Sequence, residues 1–417
     1  MYDRTLHLGT ASILASQLRD PDVSNLIPEP NLSRATELVL ELMKIPGASG
    51  GEQMVVDYIR RRLLQAGCDP SWLKSDQAHR RTRLIGQTGN FALRMRGKLR
   101  SARRMFIAHM DTVPICVDAE PVLKGSRIAS KNPNGGLGAD DRAGVAVLLN
   151  TALEILEKKL PCPPLTFLWS VQEEVGLQGV RHASLGMLQN PKLAFNFDGG
   201  SPEKLTIGAT GGYRMQIKVS GRASHAGGAP EKGVSAIVIA GLAIADLQNR
   251  GWHGQIIKGR QRGTSNIGVI DGGTATNVVA DTVELKAEAR SYSKGFRRKI
   301  VAQIKNSFLQ AAKQVINSTG DSGAVTFTGQ TDYESFRLRQ NEPCLKNAKA
   351  AIQASGGVPV TFCSAGGLDA NWLTARGIPT VTLGCGQLFQ HTCREQLDLS
   401  WYHKACRIAL YLATDHR

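Results

Sequence analysis

The chain has no apolar run approaching the length of a membrane span, no low-complexity tract and no internal repeat. Those absences exclude a helical membrane protein, a solenoid and a polar disordered chain. Its eight cysteines include no Cys-x-x-Cys or other short pairing. Neither a cysteine zinc site nor a dithiol redox site is therefore expected; buried thiols in a reducing cytoplasm are. The opening residues, Met1-Tyr2-Asp3-Arg4, lack the basic-then-apolar order of a secretory signal. Acidic residues are in deficit, 35 Asp and Glu against 51 Lys and Arg, which leaves a net charge of +16. A balance of that kind suits a nucleic-acid partner, but the densest basic stretch, Arg80 to Arg104, offers only Phe91 for stacking on bases. We read it as a solvated basic face, with nucleic acid disfavoured and anionic substrates such as peptide carboxylates drawn in.

At 417 residues the chain exceeds what one hydrophobic core usually holds, so two domains are expected. Residues 1–31 show no sustained periodicity and read as an N-terminal extension. Leu38, Leu42 and Ile45 mark a helix that stops at Pro46. Ser49-Gly50-Gly51-Glu52 reads as a capping box opening a second helix, with Val55, Val56, Ile59 and Leu63 inward and Gly67 at its close. Gly47-Ala48-Ser49-Gly50-Gly51 also has the spacing of a nucleophile elbow, but that motif needs a preceding strand and here a helix precedes it.

Apolar strands then alternate with helical patterns. Met105-Phe106-Ile107-Ala108, Leu165 to Val171 and Leu193 to Phe197 read as buried strands, with a helix over 140–157 between the first two. This is an open α/β arrangement, a mixed sheet flanked by helices, whose ligands gather at the carboxyl ends of the strands. From Gly211-Gly212 the texture changes to alternating strands, Tyr213 to Val219 and Val283 to Ala289, with two long helices. The α/β pattern returns near residue 323, and Ile378 to Leu383 forms a further strand. We expect a catalytic domain in two segments, 32–212 and 323–417, with an α+β domain inserted at 213–322.

Chemistry concentrates in five short patches. They are Ala108-His109-Met110-Asp111-Thr112-Val113-Pro114, Gly138-Ala139-Asp140-Asp141-Arg142-Ala143-Gly144, Glu173-Glu174-Val175-Gly176-Leu177, Phe197-Asp198-Gly199-Gly200 and His391-Thr392. Together they supply a mixed nitrogen and oxygen donor set that suits zinc or a similar divalent ion. Asp111, two residues after His109 at a strand end, points to the same side and could hold the other imidazole nitrogen. Glu173 and Glu174 are adjacent acids at the end of an apolar strand, and they repel each other unless cations or protons intervene. With consecutive side chains directed differently, one could bind metal while its neighbour takes a proton from water. The inventory fits a hydrolase with two metals sharing a bridging carboxylate. Outside the patches, His225 among small residues, Asn277, Arg290 and the loop Gly366-Gly367-Leu368-Asp369 offer polar groups for anchoring a substrate.

The order and wording of these patches resemble the co-catalytic zinc peptidases that include peptidase T, glutamate carboxypeptidase, acetylornithine deacetylase and aminoacylase, from about residue 32 to the C-terminus. The resemblance implies two zinc ions per subunit, with Co2+ or Mn2+ as other divalent occupants. His109, Asp140 and Asp198 would hold one ion, and Asp140, Glu174 and His391 the other. A cis peptide between Asp140 and Asp141 is implied as well. Asp111 would stand behind His109, and Glu173 would be the general base on a metal-bridging water. His225 would be the histidine that reaches into a partner's site in a homodimer formed through the inserted lid domain. Asn277, Arg290, Gly367 and Asp369 would contact substrate.

The Asp140 and Asp198 patches are most similar to the peptidase T branch, which implies an aminopeptidase of short peptides. The chain departs from that branch in carrying Ser364-Ala365 before Gly366-Gly367-Leu368-Asp369. A zinc-dependent deacylase or carboxypeptidase acting on N-acyl amino acids or dipeptides is the alternative within this chemistry. A non-enzymatic basic scaffold is the alternative outside it, and it would need neither the ligands nor Glu173.

Overall fold

The computed structural model of the protein describes residues 28–414. Most of the extension expected over residues 1–31 lies outside the described residues. The larger of two layered units is built on a nine-stranded mixed sheet. At its centre Arg104–His109 runs parallel to Leu165–Ser170 on one side and to Leu193–Phe197 on the other, and Thr380–Leu383 continues the parallel run. Every residue of Arg104–His109 and Leu165–Ser170 is buried, because helices and loops cover both faces of the sheet. Alternate residues serve opposite faces. Phe106 and Ala108 join the main core beneath helices Leu32–Met43, Ala139–Lys158 and Leu399–Thr414, while Met105 and Ile107 join a second cluster with Val180, Leu188 and Leu373. Phe106 stacks on Phe167 at 5.3 Å and meets Phe195 at 5.5 Å, which locks the three central strands together.

One member of the expected basic face is not on it. Arg104 is only 1% exposed and donates through Nη1 to the carbonyl of Leu412 at 2.5 Å. As the first residue of a fully buried strand it is carried into the core, and its charge is met by a helix C-terminus.

The second unit is a five-stranded antiparallel sheet in the order Gly254–Lys258, Gln261–Gly272, Thr282–Ser291, Gly211–Ser220, Ala324–Tyr333. Helices Ala236–Asn249 and Lys294–Gln314 cover one face. Met215, Ile217 and Val219 alternate inward to meet Phe296, Ile300, Ile304 and Phe308 in a separate core. The sheet extends past the expected boundary at residue 322. Ala324–Tyr333 pairs with Gly211–Ser220 over almost its whole length. As an edge strand with much of its length exposed it lacks the apolar signature that marks its neighbours.

The site-bearing start of helix Ala139–Lys158 is packed directly against a strand end. A Cβ at Gly144 would overlap the Phe197 carbonyl oxygen and lie 2.5 Å from a carboxylate oxygen of Asp141. Gly144→Ala is expected to push the helix off the strand and lower divalent-metal affinity by roughly 10-fold or more, the scale seen when supports of a metal site are lost. A competition titration with a chromogenic chelator measures it. Unchanged affinity would show that this contact does not set the site.

Candidate metal centre

The four parallel strands end side by side, and the polar groups follow immediately. His109 closes the central strand, Val171–Glu174 follows its neighbour, and Asp198 follows Phe197, where its N–H bonds the Leu383 carbonyl at 2.8 Å. Asp140 enters from the start of helix Ala139–Lys158, and the peptide between Asp140 and Asp141 is cis, as expected. Asp140 stands between two imidazoles. His109 Nε2 lies 3.2 Å from its Oδ1, and His391 Nε2 lies 3.3 Å from its Oδ2. His391 Nε2 is also 3.0 Å from Glu174 Oε1. Residues drawn from five separate stretches of chain, the farthest being His109 and His391, thus meet in one cluster. Donor atoms of His109, Asp140 and Glu174 lie within 4.8 Å of one another, as do those of His109, Asp141 and Asp198.

Asp111 sits behind this cluster, fully buried. Its carboxylate accepts the Ser49 hydroxyl at 2.6 Å and the N–H groups of Glu173 and Glu174 at 2.9 and 3.2 Å. His109 Nδ1 meets the Asp111 main-chain oxygen at 3.1 Å, closer than the carboxylate at 3.5 Å. The expected capping box at 49–52 is not formed. Ser49 turns to Asp111, and Glu52 accepts from Gly50 and Gln172 without a side-chain bond to its own helix. Both side chains are drawn inward because buried acceptors and donors of the site lie within their reach, whereas a helix terminus can be satisfied by water.

Two further acids, Asp141 and Glu395, were given no role from the sequence. Asp141 is buried and accepts the N–H of His109 and of Gly144, both at 3.1 Å, and the Gln387 amide at 2.7 Å. Glu395, only 1% exposed, accepts the N–H groups of Leu137, Gly138 and Asp140 at 2.9, 2.7 and 2.9 Å. The only local sign of it was an acid four residues beyond His391.

Electrostatics separates these acids into two kinds. Burial works against Asp140, yet His109 and His391 hold its carboxyl below the usual range. Asp140 and Glu174 push the His391 imidazole up to about 10. Glu173 is raised well above its ordinary value by burial and by neighbouring acids, and Asp198 is raised to about 7 by burial and Asp140. Glu173 and Asp198 side chains make no hydrogen bond among the described residues, so their lone pairs remain open. Crowded acids with open lone pairs beside two imidazoles form the donor set of a divalent-metal site, because a cation relieves the repulsion that burial intensifies.

The remaining expected residues divide. His225 and Asn277 lie on adjoining loops of the second unit, joined by the Ala226 N–H to the Asn277 carbonyl at 2.9 Å, and both are exposed. His225 Nδ1 accepts from Gly227 and Gly228 at 3.2 and 2.8 Å, which leaves Nε2 as the ring nitrogen that can donate. Arg290 forks onto Glu288 at 2.9 and 3.0 Å. Among the described residues no hydrogen bond or ion pair joins His225, Asn277 or Arg290 to the five patches. Gly367 packs on the Tyr333 ring. Asp369, expected to contact substrate, is 2% exposed; Ser170 donates to one oxygen at 2.5 Å and the other has no partner. The loop folds Leu368 and Asp369 inward under the strand ends, so this acid faces the interior.

Comparison with known proteins agrees with this architecture. A peptidase dimerisation domain model matches residues 207–315, and a peptidase family M28 model matches residues 90–226. A tripeptidase from Staphylococcus aureus superposes with a TM-score of 0.83 at 29% identity, covering 93% of this chain and 99% of that one. The aminopeptidase PepT of Bacillus cereus does so with a TM-score of 0.80 at 28% identity, covering 92% and 98%. The chain is similar to the peptidase T-like metallopeptidases. An uncharacterised protein of Bacillus subtilis is 29% identical to this peptidase T-like chain over 371 residues, 88% of this chain and 94% of that protein.

Glu395 holds the approach to Asp140 through three N–H groups, so Glu395→Ala is expected to weaken metal binding by about 10–100-fold in this metallopeptidase. Isothermal titration of the metal-free protein measures it. A wild-type affinity in a folded Glu395→Ala protein would remove Glu395 from the site's support.

Proposed function

We infer that the protein is a dinuclear zinc aminopeptidase of short peptides that works as a homodimer. The observation that carries this reading is Asp140, with one imidazole on each of its two oxygens. That disposition suits a carboxylate shared between two ions, one with His109 and Asp198, the other with Glu174 and His391. Nitrogen and oxygen donors without thiolate suit zinc, with Co2+ or Mn2+ as substitutes. Divalent ions bound there would supply Lewis acidity and lower the pKa of water.

The chain's own groups do the rest. Glu173, with open lone pairs and a carboxyl raised by burial, takes the proton of the attacking water and hands it to the departing amine. Asp111 orients the Glu173 and Glu174 backbone and stands behind His109. His225, with its proton on Nε2, donates to the carbonyl oxygen of the substrate, and Asn277 and Arg290 anchor the peptide. Tripeptides and dipeptides, each with free and blocked N-termini, assayed beside N-acyl amino acids, distinguish the aminopeptidase from a deacylase. Equal turnover of N-acetylated tripeptides would sink the aminopeptidase reading.

The second unit supports pairing between copies. Strand Gln261–Gly272 outruns its partner Gly254–Lys258, which pairs only as far as Ser265, and the free edge exposes Val269 and Ile270. Helix Ala236–Asn249 exposes Ile237, Val238 and Leu242 beside it. All eight cysteines are free thiols, which suits the cytoplasm. Light scattering at assay concentration is expected to give twice the chain mass, and Ile270→Lys is expected to give monomers of reduced activity. A fully active monomer would remove His225 as a group supplied by the partner.

Glu173 and Glu174 are expected to behave differently on substitution. Glu174→Ala should lower metal content, whereas Glu173→Gln should keep both metals and lose roughly 10²–10⁴-fold in turnover. Metal analysis beside kinetics checks both. Near-normal turnover of Glu173→Gln would end the general-base assignment.

A further inference from the structure

The segment Val171–Glu174 carries the acid pair out of its strand, and its backbone is held in an unusual way. Gln172 sits at φ +52°, a left-handed conformation uncommon for a residue with a side chain. Each of the four N–H groups goes to a side chain from elsewhere in the chain. Val171 donates to Asn90 Oδ1 at 3.1 Å, Gln172 to Glu52 Oε1 at 3.0 Å, and Glu173 and Glu174 to the two oxygens of Asp111. Glu52 Oε1 also takes the Gly50 N–H at 2.9 Å, and the adjacent Ser49 hydroxyl bonds Asp111. Glu52 is 0% exposed, and its second oxygen has no partner. A carboxylate needed only to start a surface helix would not be buried with an open oxygen, since burial is costly and an exposed cap would serve.

We propose that Glu52 is a positioning residue for Glu173, holding the Gln172 backbone in its left-handed turn and so fixing the direction in which the Glu173 side chain leaves the chain. This rests on Glu173 being the general base. Without the acceptor, Gln172 relaxes toward an ordinary right-handed φ, and the next side chain swings with it. A misplacement of about 1 Å at a reacting group costs on the order of 100-fold in rate.

The test uses the full-length, zinc-loaded enzyme and its metal-free form. Glu52→Leu removes the acceptor at similar size, Glu52→Asp withdraws it by one methylene and keeps the charge, and Glu52→Gln keeps an acceptor oxygen. We expect kcat to fall roughly 10–100-fold in Glu52→Leu, less in Glu52→Asp, and to recover most of the way in Glu52→Gln, with KM and metal content nearly unchanged. If Glu52→Leu fails to fold, Glu52→Asp and Glu52→Gln carry the comparison. In metal-free protein, amide hydrogen exchange over residues 171–174 should quicken in Glu52→Leu and Glu52→Asp, while helix Ala139–Lys158 stays protected. In a Glu173→Gln background, adding Glu52→Leu should cost nothing further, because the two act as one unit. Normal kcat in the acceptor-removing variants, metal loss in proportion to activity, unchanged exchange at 171–174, or an additive double mutant would each overturn the proposal. Failure of the base reading would show separately, as near-normal turnover of Glu173→Gln alone, and would take this proposal with it.

Discussion

Like-charge repulsion at the ends of four parallel strands governs the arrangement of everything around them. Asp111, Asp140, Asp141, Glu173, Glu174, Asp198 and Asp369 crowd there, and burial alone pushes most of them toward protonation. In a low-dielectric interior such a group persists only where donors, imidazoles or cations offset the charge. The surrounding structure supplies the first two, and a divalent site is the third.

The fold resolves the repulsion by giving each acid a different share of donors. Asp111 and Asp141 are saturated by backbone N–H groups and neighbouring side chains, so they act as supports. Asp140 and Glu174 are matched to imidazoles. Glu173 and Asp198 side chains make no hydrogen bond among the described residues, so their lone pairs are open. Glu395 and Glu52 extend the scheme outward, each a buried carboxylate that accepts from the backbone beside one of these acids.

The second unit obeys a different constraint. Its sheet has one buried face, and Val269 and Ile270 on an unpaired strand edge, with Ile237, Val238 and Leu242 on a covering helix, are among its exposed apolar groups. Buried hydrogen bonds from distant side chains are concentrated where the acids are, and exposed apolar surface lies on the second unit. His225 is exposed there, its ring held through Nδ1 by two glycine N–H groups, which leaves Nε2 as the nitrogen that can donate.

The central strands, the main helices and the chemical inventory were legible in the sequence. Fully apolar runs such as Met105–Ala108 name buried strands whatever packs on them, and His109, Asp140, Glu174 and Asp198 were legible as donors because each follows such a run or opens a helix. It also marked the inserted unit through alternation at Tyr213 to Val219. The tertiary structure alone decided which acids are supports. Ser49 and Glu52 read locally as a helix cap, but the competing partners, Asp111 and Gln172, are more than sixty and more than a hundred residues away. Glu395 is silent for the same reason, since its three donors come from Leu137, Gly138 and Asp140. Asp369 was expected to contact substrate and is buried beside Ser170. A side chain's hydrogen-bond partner is set by distance in space, and burial makes the nearest distant donor worth more than a local one that water can replace.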